Sequence, residues 1–315
     1  MRFHLDHKPK KTEFAISHFH KIFMLGSCFT ENIGTYLEAG RFRTCINPGG
    51  ILFNPTSICK HINTLISGEL MDEKDILQQS GIFFSYMHHS SVHNENKHDL
   101  VKKINSENKK ASFFLKETDY LFITFGSAYV YRHLLLNAVV SNCHKQPGHN
   151  FEKSLLSVEK IVEDYSGTLK KLKDLNPALK IIFTVSPVKH LRDGLTENNL
   201  SKATLLLSIH HLIKKFDFCF YFPAFELVTD DLRDYRFYKE DLAHPNEQAL
   251  AYVWEKFSAC YFSEETLLLN QQIKKLSLAL SHRSMVQNST EAIKLNNFII
   301  TQKEEIKKNH PFINF

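Results

Sequence analysis

The sequence predicts an α/β protein built on a five-stranded parallel sheet with helices on both faces. Short apolar runs at 22–25, 42–46, 120–125, 180–185 and 218–222 are typical of buried strands. Helical patterns lie between these runs, and a turn of small residues or proline follows each run. This alternation of strand and helix favours parallel strands joined by crossover helices.

The individual elements follow from local patterns, taken along the chain. The first strand turns at Gly26 into a helix over 29–38, and Gly40 is suited to cap its carboxyl end. The second strand ends in the turn 47–50, and Asn54 can start the next helix. Further helices are predicted over 107–116, 154–176, 202–215 and 248–257, the strongest amphipathic pattern being that of 154–176.

The domain organisation is read from where this alternation begins and ends. We expect a polar N-terminal arm over 1–20, one domain over 21–262, and a C-terminal helical tail over 263–315. Residues 54–118 form an inserted helical and loop region that covers the site in this interpretation. In the tail, 264–281 has an amphipathic helical pattern, 282–290 resembles a linker, and 296–315 is rich in lysine.

Small residues at the strand ends indicate where a site would lie. The segments are Gly26-Ser27-Cys28, Gly49-Gly50, Gly126-Ser127 and Ser186-Pro187. The carboxyl ends of parallel strands face one crevice, where open α/β proteins bind ligands. The sequence therefore predicts that these four segments converge at one edge of the sheet.

Two side chains at the first of these turns can act as nucleophiles, Ser27 and Cys28. They stand between a strand and a helix, so the free N–H groups of the helix N-terminus point towards them. This arrangement favours a thiolate or an oxyanion. It leaves open which of the two residues reacts.

A partner for such a nucleophile is found beyond the fifth strand, in Asp241-Leu242-Ala243-His244-Pro245-Asn246. Asp241 can accept the proton of one ring nitrogen of His244, which leaves the other nitrogen to act as a base. The alternative is that Asp241 only caps the following helix and that His244 packs beneath it. The nearby strand–turn–helix nucleophile favours the catalytic interpretation.

Several longer segments resemble the GSCFA family over residues from about 21 to about 260. They are Gly26-Ser27-Cys28-Phe29-Thr30, the stretch from Asn47 to Pro55, the stretch from Phe125 to Arg132, Asn142-Cys143-His144-Lys145, Ser186-Pro187-Val188-Lys189-His190 and Asp234-Tyr235-Arg236-Phe237-Tyr238. That family is similar in turn to the SGNH, or GDSL-type, hydrolases. The resemblance implies a flavodoxin-like three-layer sandwich and the cleavage of acyl esters, with acyl transfer as a related activity.

Position by position, the resemblance implies particular roles. It places Cys28, and not Ser27, at the nucleophile position, with a lowered pKa expected for a thiol at a helix N-terminus near a histidine. It gives His244 as the base and Asp241 as the residue that orients it. The backbone N–H groups of Cys28 and of Gly50, or Gly49, are the expected oxyanion donors.

One position departs from the SGNH pattern. Where those enzymes have an oxyanion-binding asparagine, this chain has Ala128, whose methyl group cannot donate. Ser127 (through its backbone), Tyr129 or Asn142 can replace the missing donor. Losing one such donor typically costs ~3 kcal/mol of transition-state stabilisation, so this departure bears on whether the site is a competent esterase.

Composition narrows the possible partners. The formal charge is +5, with 39 basic and 34 acidic residues interspersed, which argues against nucleic acid as a partner. No run approaches the ~18 apolar residues of a membrane helix, and the N-terminus lacks the apolar segment of a signal peptide. We expect a cytoplasmic protein with reduced cysteines and no membrane partner, acting on a small-molecule or glycan acyl ester. Its oligomeric state is not indicated.

Other polar residues are weaker candidates. His88, His89, His93 and His98 match no compact metal-ligand spacing, so no metal and no cofactor are expected. His190 follows the fourth strand and can line the crevice. Arg132 and Arg236 are expected to form ion pairs. Two rival functions remain, a non-catalytic binding module that Ala128 favours and a redox-sensing thiol protein that would need a second cysteine near Cys28.

Overall fold

The computed structural model describes residues 5–281, 290–313 and 315. The five strands of the central sheet are separated by helices, and six further short strands lie between them along the described residues. In chain order, the strands are β1 (Lys21–Gly26), β2 (Arg43–Ile46), β3 (Leu77–Gln79), β4 (Ile82–Phe84), β5 (His93–Asn94), β6 (Tyr120–Phe125), β7 (Tyr129–His133), β8 (Ala138–Val140), β9 (Phe151–Leu155), β10 (Lys180–Val185) and β11 (Cys219–Tyr221). The α-helices are α1 (Cys28–Ala39), α2 (Pro55–Ser67), α3 (Lys97–Lys116), α4 (Val158–Leu175), α5 (Leu195–Lys215), α6 (Ala224–Glu226), α7 (Glu247–Tyr261), α8 (Glu264–Ser281) and α9 (Thr290–Asn309).

The central sheet has the strand order β11-β10-β6-β1-β2, and its neighbouring strands pair in parallel. Counting only these five strands along the chain, the order is 2-1-3-4-5, which is that of the flavodoxin-like fold. The predicted five-stranded parallel sheet is therefore confirmed. The order reverses between β1 and β6, so a crevice opens at their carboxyl ends.

Side chains on the two faces of the sheet belong to two separate cores. Phe23 and Leu25 of β1 point to one core, which α2, α3, α4 and α5 cover. Ile22 and Met24 point to the other, which α1 and α7 cover. Successive side chains of a strand point to opposite faces, so strands buried on both faces are apolar throughout. This pattern explains why the strands were recognisable as continuous apolar runs.

Two small antiparallel sheets lie outside the central sheet, β3-β4-β5 and β8-β7-β9. They pack against each other through Phe84, Tyr86, Val140, Tyr131 and Phe151. Within the expected inserted region over 54–118, α2 and α3 contribute Ile58 and Leu115 to the core that contains Phe23 and Leu25, called the main core below. The β3–β5 sheet lies between these two helices in the sequence.

Several helix boundaries differ from the sequence prediction. The helix expected over 154–176 begins at Val158, because Phe151–Leu155 pairs with β7 and Ser157 then caps the helix by accepting the N–H of Lys160. The helix expected from 202 begins at Leu195, and that expected over 107–116 is the second half of α3. Strand pairing and a side-chain cap set the start of α4, and the side chain of Asn96, which accepts the N–H of Asp99, caps the start of α3.

The terminal segments also pack onto the fold. In the N-terminal arm, the N–H of Ile16 donates to Tyr261 O at 2.6 Å, which ties the arm to the end of α7. The predicted C-terminal helical extension is confirmed in α8 and α9, which pack together around Ile273, Leu276 and Ile306. Residues 282–289 of the expected linker lie outside the described residues.

Gly26 provides a test of how tightly the sheet edge is packed. Its φ is +144°, and a Cβ there would lie 2.3 Å from the backbone oxygen of Thr124. We expect Gly26→Ala to lower the free energy of unfolding by about 3 kcal/mol or more, because β1 must move away from β6. Urea denaturation followed by circular dichroism measures this change.

Gly81→Ala is the matched control for backbone strain. Its φ is +79°, and a Cβ there would meet nothing within 4 Å. We expect it to cost only about 1 kcal/mol, the price of the left-handed conformation alone. Equal losses in the two variants would contradict the close β1–β6 contact.

Candidate active site

The carboxyl ends of β1 and β6 meet the loop that follows β2, as the small-residue turns predicted. The N–H of Gly26 donates to the side-chain oxygen of Asn47 at 2.9 Å, and the N–H of Leu52 donates to Gly26 O at 3.0 Å. The carbonyl of Phe53 accepts the N–H groups of Gly126 and Ser127, at 2.7 and 3.0 Å. The loop therefore crosses both strand ends and holds them together.

Ser27 and Cys28 occupy different environments at this edge. Ser27 is the extended N-cap residue of α1, and its side chain makes no capping hydrogen bond. It is only 3% exposed, and among the described residues its hydroxyl has no hydrogen-bond partner. Cys28 is the first residue of α1 and is partly exposed. A ligand in the crevice can reach Cys28 more easily than Ser27.

The electrostatics of the Cys28 thiol differ from the sequence-based expectation. Burial raises the pKa of Cys28, and the carboxylate of Glu31 raises it further. The N–H groups of Phe29 and of Cys28 itself favour the thiolate, as does the charge of Lys202. Desolvation of the thiolate outweighs the helix N-terminus, so the expected lowering of the pKa is wrong.

Asp241 and His244 are in direct contact. His244 Nδ1 lies 2.6 Å from Asp241 Oδ2, and Asp241 Oδ1 accepts the N–H groups of His244 and Ala243 at 2.9 and 3.0 Å. The N–H of His244, that of Ala243 and the His244 ring hold the pKa of the Asp241 carboxyl well below its usual range. Asp241 is thus held as a carboxylate that orients the ring.

The alternative role for Asp241, capping α7, belongs to another residue. Asn246 is the N-cap of α7, and its side chain accepts the N–H of Ala249 at 3.1 Å. The side chain of His244 is 44% exposed, so the ring is not packed beneath the helix. With Nδ1 on Asp241, the Nε2 of His244 is the nitrogen left for another partner.

The two glycines expected to donate to an oxyanion have different surroundings. The N–H of Gly50 donates to Asn47 O at 2.8 Å, and its φ of +78° closes a tight turn. A Cβ at Gly50 would lie 2.5 Å from Cβ of His89. Gly49 is buried against the ring of His61. A Cβ at Gly49 would lie 2.9 Å from Cε1 of that ring. The N–H of Gly50 is therefore already engaged.

Ala128 does not face the crevice. It is fully buried in the main core, and its N–H donates to the hydroxyl of Ser201 at 2.8 Å. The hydroxyl of Ser127 accepts the N–H of Tyr129 at 3.1 Å, and the Tyr129 ring contacts the ammonium of Lys153, 4.3 Å from the ring centroid. A polar side chain at 128 would enter an apolar core.

Asn142 lies in the loop after β8, and its side-chain oxygen accepts the N–H of His144 at 2.8 Å. The His144 ring contacts Ser85 O and His88 O at 3.0 and 3.2 Å. These contacts anchor the β8 loop to the segment between β4 and β5. Asn142 is thus engaged with the small sheets.

Two further residues lie at this edge. The sequence analysis did not identify Lys202, and it considered His190 only by its position after the fourth strand. Lys202 of α5 is 2% exposed, and its ammonium donates to Gly126 O and Ser186 O at 2.6 and 2.7 Å. His190 is largely buried, and its Nε2 has no hydrogen-bond partner among the described residues. The sequence contains a signal that Lys202 is buried. Lys202 lies three residues before Leu205 and seven before Ile209, on the apolar stripe of its helix.

The residues weighed for metal or anion binding are mostly engaged elsewhere. Of the four histidines after β4, His88 is buried while His89, His93 and His98 are not. No group of three His, Cys, Asp or Glu side chains suited to a metal occurs in the described part of the chain. The expected ion pairs are present, Arg132 with Glu152 and Arg236 with Asp234.

A cleft of about 1160 Å³ lies beside the site, between α2, α4 and the β3–β5 sheet. His61 and His88 are among the residues that line it. Burial lowers the pKa of His61 to about 3 and that of His88 to about 4, so both rings are neutral. Cys28 and His244 do not line this cleft.

The state of the cysteines and the character of the helices bear on the whole protein. All six cysteines are free thiols. Across residues 5–281, 290–313 and 315, no helix is both long and apolar enough to span a membrane.

Comparisons with solved structures find weakly similar esterases. A carbohydrate esterase family 3 protein from Talaromyces cellulolyticus is 11% identical, with a TM-score of 0.35, over 81% of this chain and 99% of that one. An acetyl xylan esterase from the rumen bacterium Butyrivibrio proteoclasticus is 10% identical, with a TM-score of 0.37, over 82% of this chain and 64% of that one. At such TM-scores, the fold assignment depends on the sheet order described above.

No curated protein is similar enough in sequence to match. A comparison of the sequence with models of protein families does find a match. The model of the GSCFA family matches residues 21–257, which is more than half of the chain and includes both Cys28 and His244. This protein therefore belongs to the GSCFA family.

Proposed function

We propose that this protein is an ester hydrolase that attacks carboxylic (acyl) esters with Cys28 and uses the Asp241–His244 pair as general base. The observation that carries the proposal is the 2.6 Å contact between His244 Nδ1 and Asp241 Oδ2 on an exposed loop. A carboxylate on one ring nitrogen fixes the tautomer and leaves the other nitrogen free to accept a proton. A capping or purely structural role requires no such contact.

The proposed reaction uses these groups in two steps. His244 Nε2 accepts the thiol proton as Cys28 Sγ attacks the ester carbonyl, and the tetrahedral intermediate then expels the alcohol, which takes that proton. Water, activated in turn by His244, cleaves the thioester and regenerates the thiol. If an alcohol replaces water in this second step, the same site transfers the acyl group.

Two features support Cys28 over Ser27 as the nucleophile. Ser27 is buried with its hydroxyl unpartnered, whereas Cys28 is partly exposed at the first position of α1. The N–H groups of Cys28 and Phe29 favour the thiolate of Cys28. In the tetrahedral intermediate, we propose that the N–H groups of Cys28 and Gly49 bind the oxyanion, since that of Gly50 is engaged with Asn47.

The exposure of His244 and Asp241 supports a proposal for the substrate class. His244 and Asp241 have side chains 44% and 49% exposed, so a bulky leaving alcohol can extend into solvent. A small-molecule or glycan acyl ester fits this arrangement. We place the catalytic unit in residues 21–262, with 1–20 and 263–315 as packing segments. A thiol nucleophile is suited to a reducing compartment such as the cytoplasm.

A non-catalytic binding module is the second candidate. Ala128 is buried in the core and leaves no side-chain donor at that position, and burial raises the pKa of Cys28. Both features weaken an oxyanion-stabilising site. Turnover of esters by the wild type separates the two functions, because a binding module would retain the pocket without the chemistry.

Substitution of the two candidate nucleophiles gives the first test of the site. We expect Cys28→Ala to lower kcat/KM for p-nitrophenyl acetate by about 10³-fold, because it removes the proposed nucleophile. Ser27→Ala is the matched control, expected to retain activity within about threefold, since its hydroxyl has no hydrogen-bond partner among the described residues. Loss of activity in Ser27→Ala alone would transfer the role to Ser27.

Substitution of the acid–base pair gives a second, independent test. Asp241→Asn keeps the shape of the side chain but removes the charge that orients His244, and we expect kcat to fall by about 10²-fold or more. His244→Gln is expected to lower it at least as far. Asp234→Asn, which removes an exposed ion pair with Arg236, is the control. Unchanged kcat in Asp241→Asn would contradict the proposed base.

A further inference from the structure

Lys202 is a buried cation at the same sheet edge, on a helix that does not carry the proposed catalytic residues. Its side chain is 2% exposed, and it donates to Gly126 O and Ser186 O, at the ends of β6 and β10. Charged lysine is almost never fully buried without strong compensation. A helix packed against an apolar sheet could carry leucine here, so this lysine calls for an explanation.

The face of α5 around Lys202 is polar and directed at the site. Ser201 binds the N–H of Ala128, and Asn198 binds the N–H of His190 at 2.9 Å. Asn198, Ser201 and Lys202 are each buried and lie at i, i+3 and i+4 on one face of the helix. This face holds the segments that follow β6 and β10, and Lys202 is its one cationic member.

The position of Cys28 relative to Lys202 follows from their shared neighbour. A Cβ at Gly126 would lie 3.3 Å from Cβ of Ser27, and Gly126 O accepts a hydrogen bond from Lys202. Gly126 is therefore a neighbour of both the Ser27–Cys28 turn and Lys202. Cys28 is the titratable group whose charge acts on Lys202 there.

Other charged and titratable groups also surround Cys28 and Lys202. Glu31 of α1 acts on Cys28, with a charge opposite to that of Lys202. His190 is affected by Lys202, His244, Asp193 and Lys153, and burial lowers its pKa to about 4, so its ring is neutral. Burial lowers the pKa of Lys202 to about 7, with Cys28 acting against that shift. Lys202 is thus the positive charge available to Cys28 near neutral pH.

We propose that Lys202 is the electrostatic partner of Cys28, a buried cation that stabilises the thiolate and the negative charge that develops on the acyl group. The inference rests on the proposed role of Cys28 as nucleophile. Lys202 compensates in part for the donor that is missing at Ala128, and its two carbonyl contacts position the ammonium. It acts through space on the reacting atoms, because its ammonium donates to Gly126 O and Ser186 O.

Alkylation of Cys28 tests this coupling without any need for turnover. Iodoacetamide reacts with the thiolate, and peptide mapping by mass spectrometry assigns the label to Cys28. At pH 6.5, where Lys202 is mostly protonated, we expect Lys202→Met to slow alkylation of Cys28 by about fivefold to tenfold. Above pH 9, where Lys202 is neutral, the two proteins should react at similar rates.

Lys214→Met, an exposed lysine on the same helix, is the matched control and is expected to leave the profile unchanged. A purely structural role for Lys202 would change the rate equally at both pH values. That result, or an unchanged rate at pH 6.5, would overturn the proposal. Ester turnover could still be absent while the coupling is present, so the two proposals fail separately.

A second measurement protects the test if Lys202→Met does not fold. Wild-type protein labelled with ¹³C-lysine is alkylated at Cys28 with either iodoacetate or iodoacetamide. The first reagent leaves a fixed negative charge beside Lys202 and the second leaves a neutral group of similar size. We expect the midpoint of the lysine resonance that titrates near neutral pH to be higher after iodoacetate. Equal midpoints would show that Lys202 does not sense charge at Cys28.

Discussion

The close contact between the backbones of β1 and β6 at Gly26 is the constraint on which the site depends. A Cβ at Gly26 would lie 2.3 Å from Thr124 O, so only glycine allows the two strands to pair to their ends. The side chain of Asn47 then binds the N–H of Gly26, and Phe53 O binds the two N–H groups after β6. Cys28 begins α1 two residues after Gly26, so its position depends on this junction.

The site is a balance between burial and local positive charge. Burial disfavours the thiolate of Cys28, while helix N–H groups and Lys202 favour it. Asp241 is exposed and strongly hydrogen-bonded, so it stays ionised and orients His244. The thiol of Cys28 is therefore more desolvated than the Asp241–His244 pair.

Ala128 shows how one substitution is accommodated by the surrounding packing. Its methyl group fills the main core and its N–H is held by Ser201, so the β6–β7 turn is fixed without a side-chain donor. The next residue of α5, Lys202, binds the carbonyls that close β6 and β10. One turn of α5 thus supports the ends of two neighbouring strands, β6 and β10.

The sequence by itself determined the parallel sheet, the convergence of Gly26, Gly126 and Ser186, and the Asp241–His244 pair. Apolar strands and small-residue turns are local signals, and a three-residue spacing on a loop is enough to bring two side chains together. Only the tertiary structure decided that Ser27 is buried, that burial raises the pKa of Cys28, and that Lys202 lies beneath the site. Burial depends on which elements pack together. The apolar stripe of α5 indicated that Lys202 faces the interior, but its contacts with the ends of β6 and β10 depend on how α5 packs on the sheet.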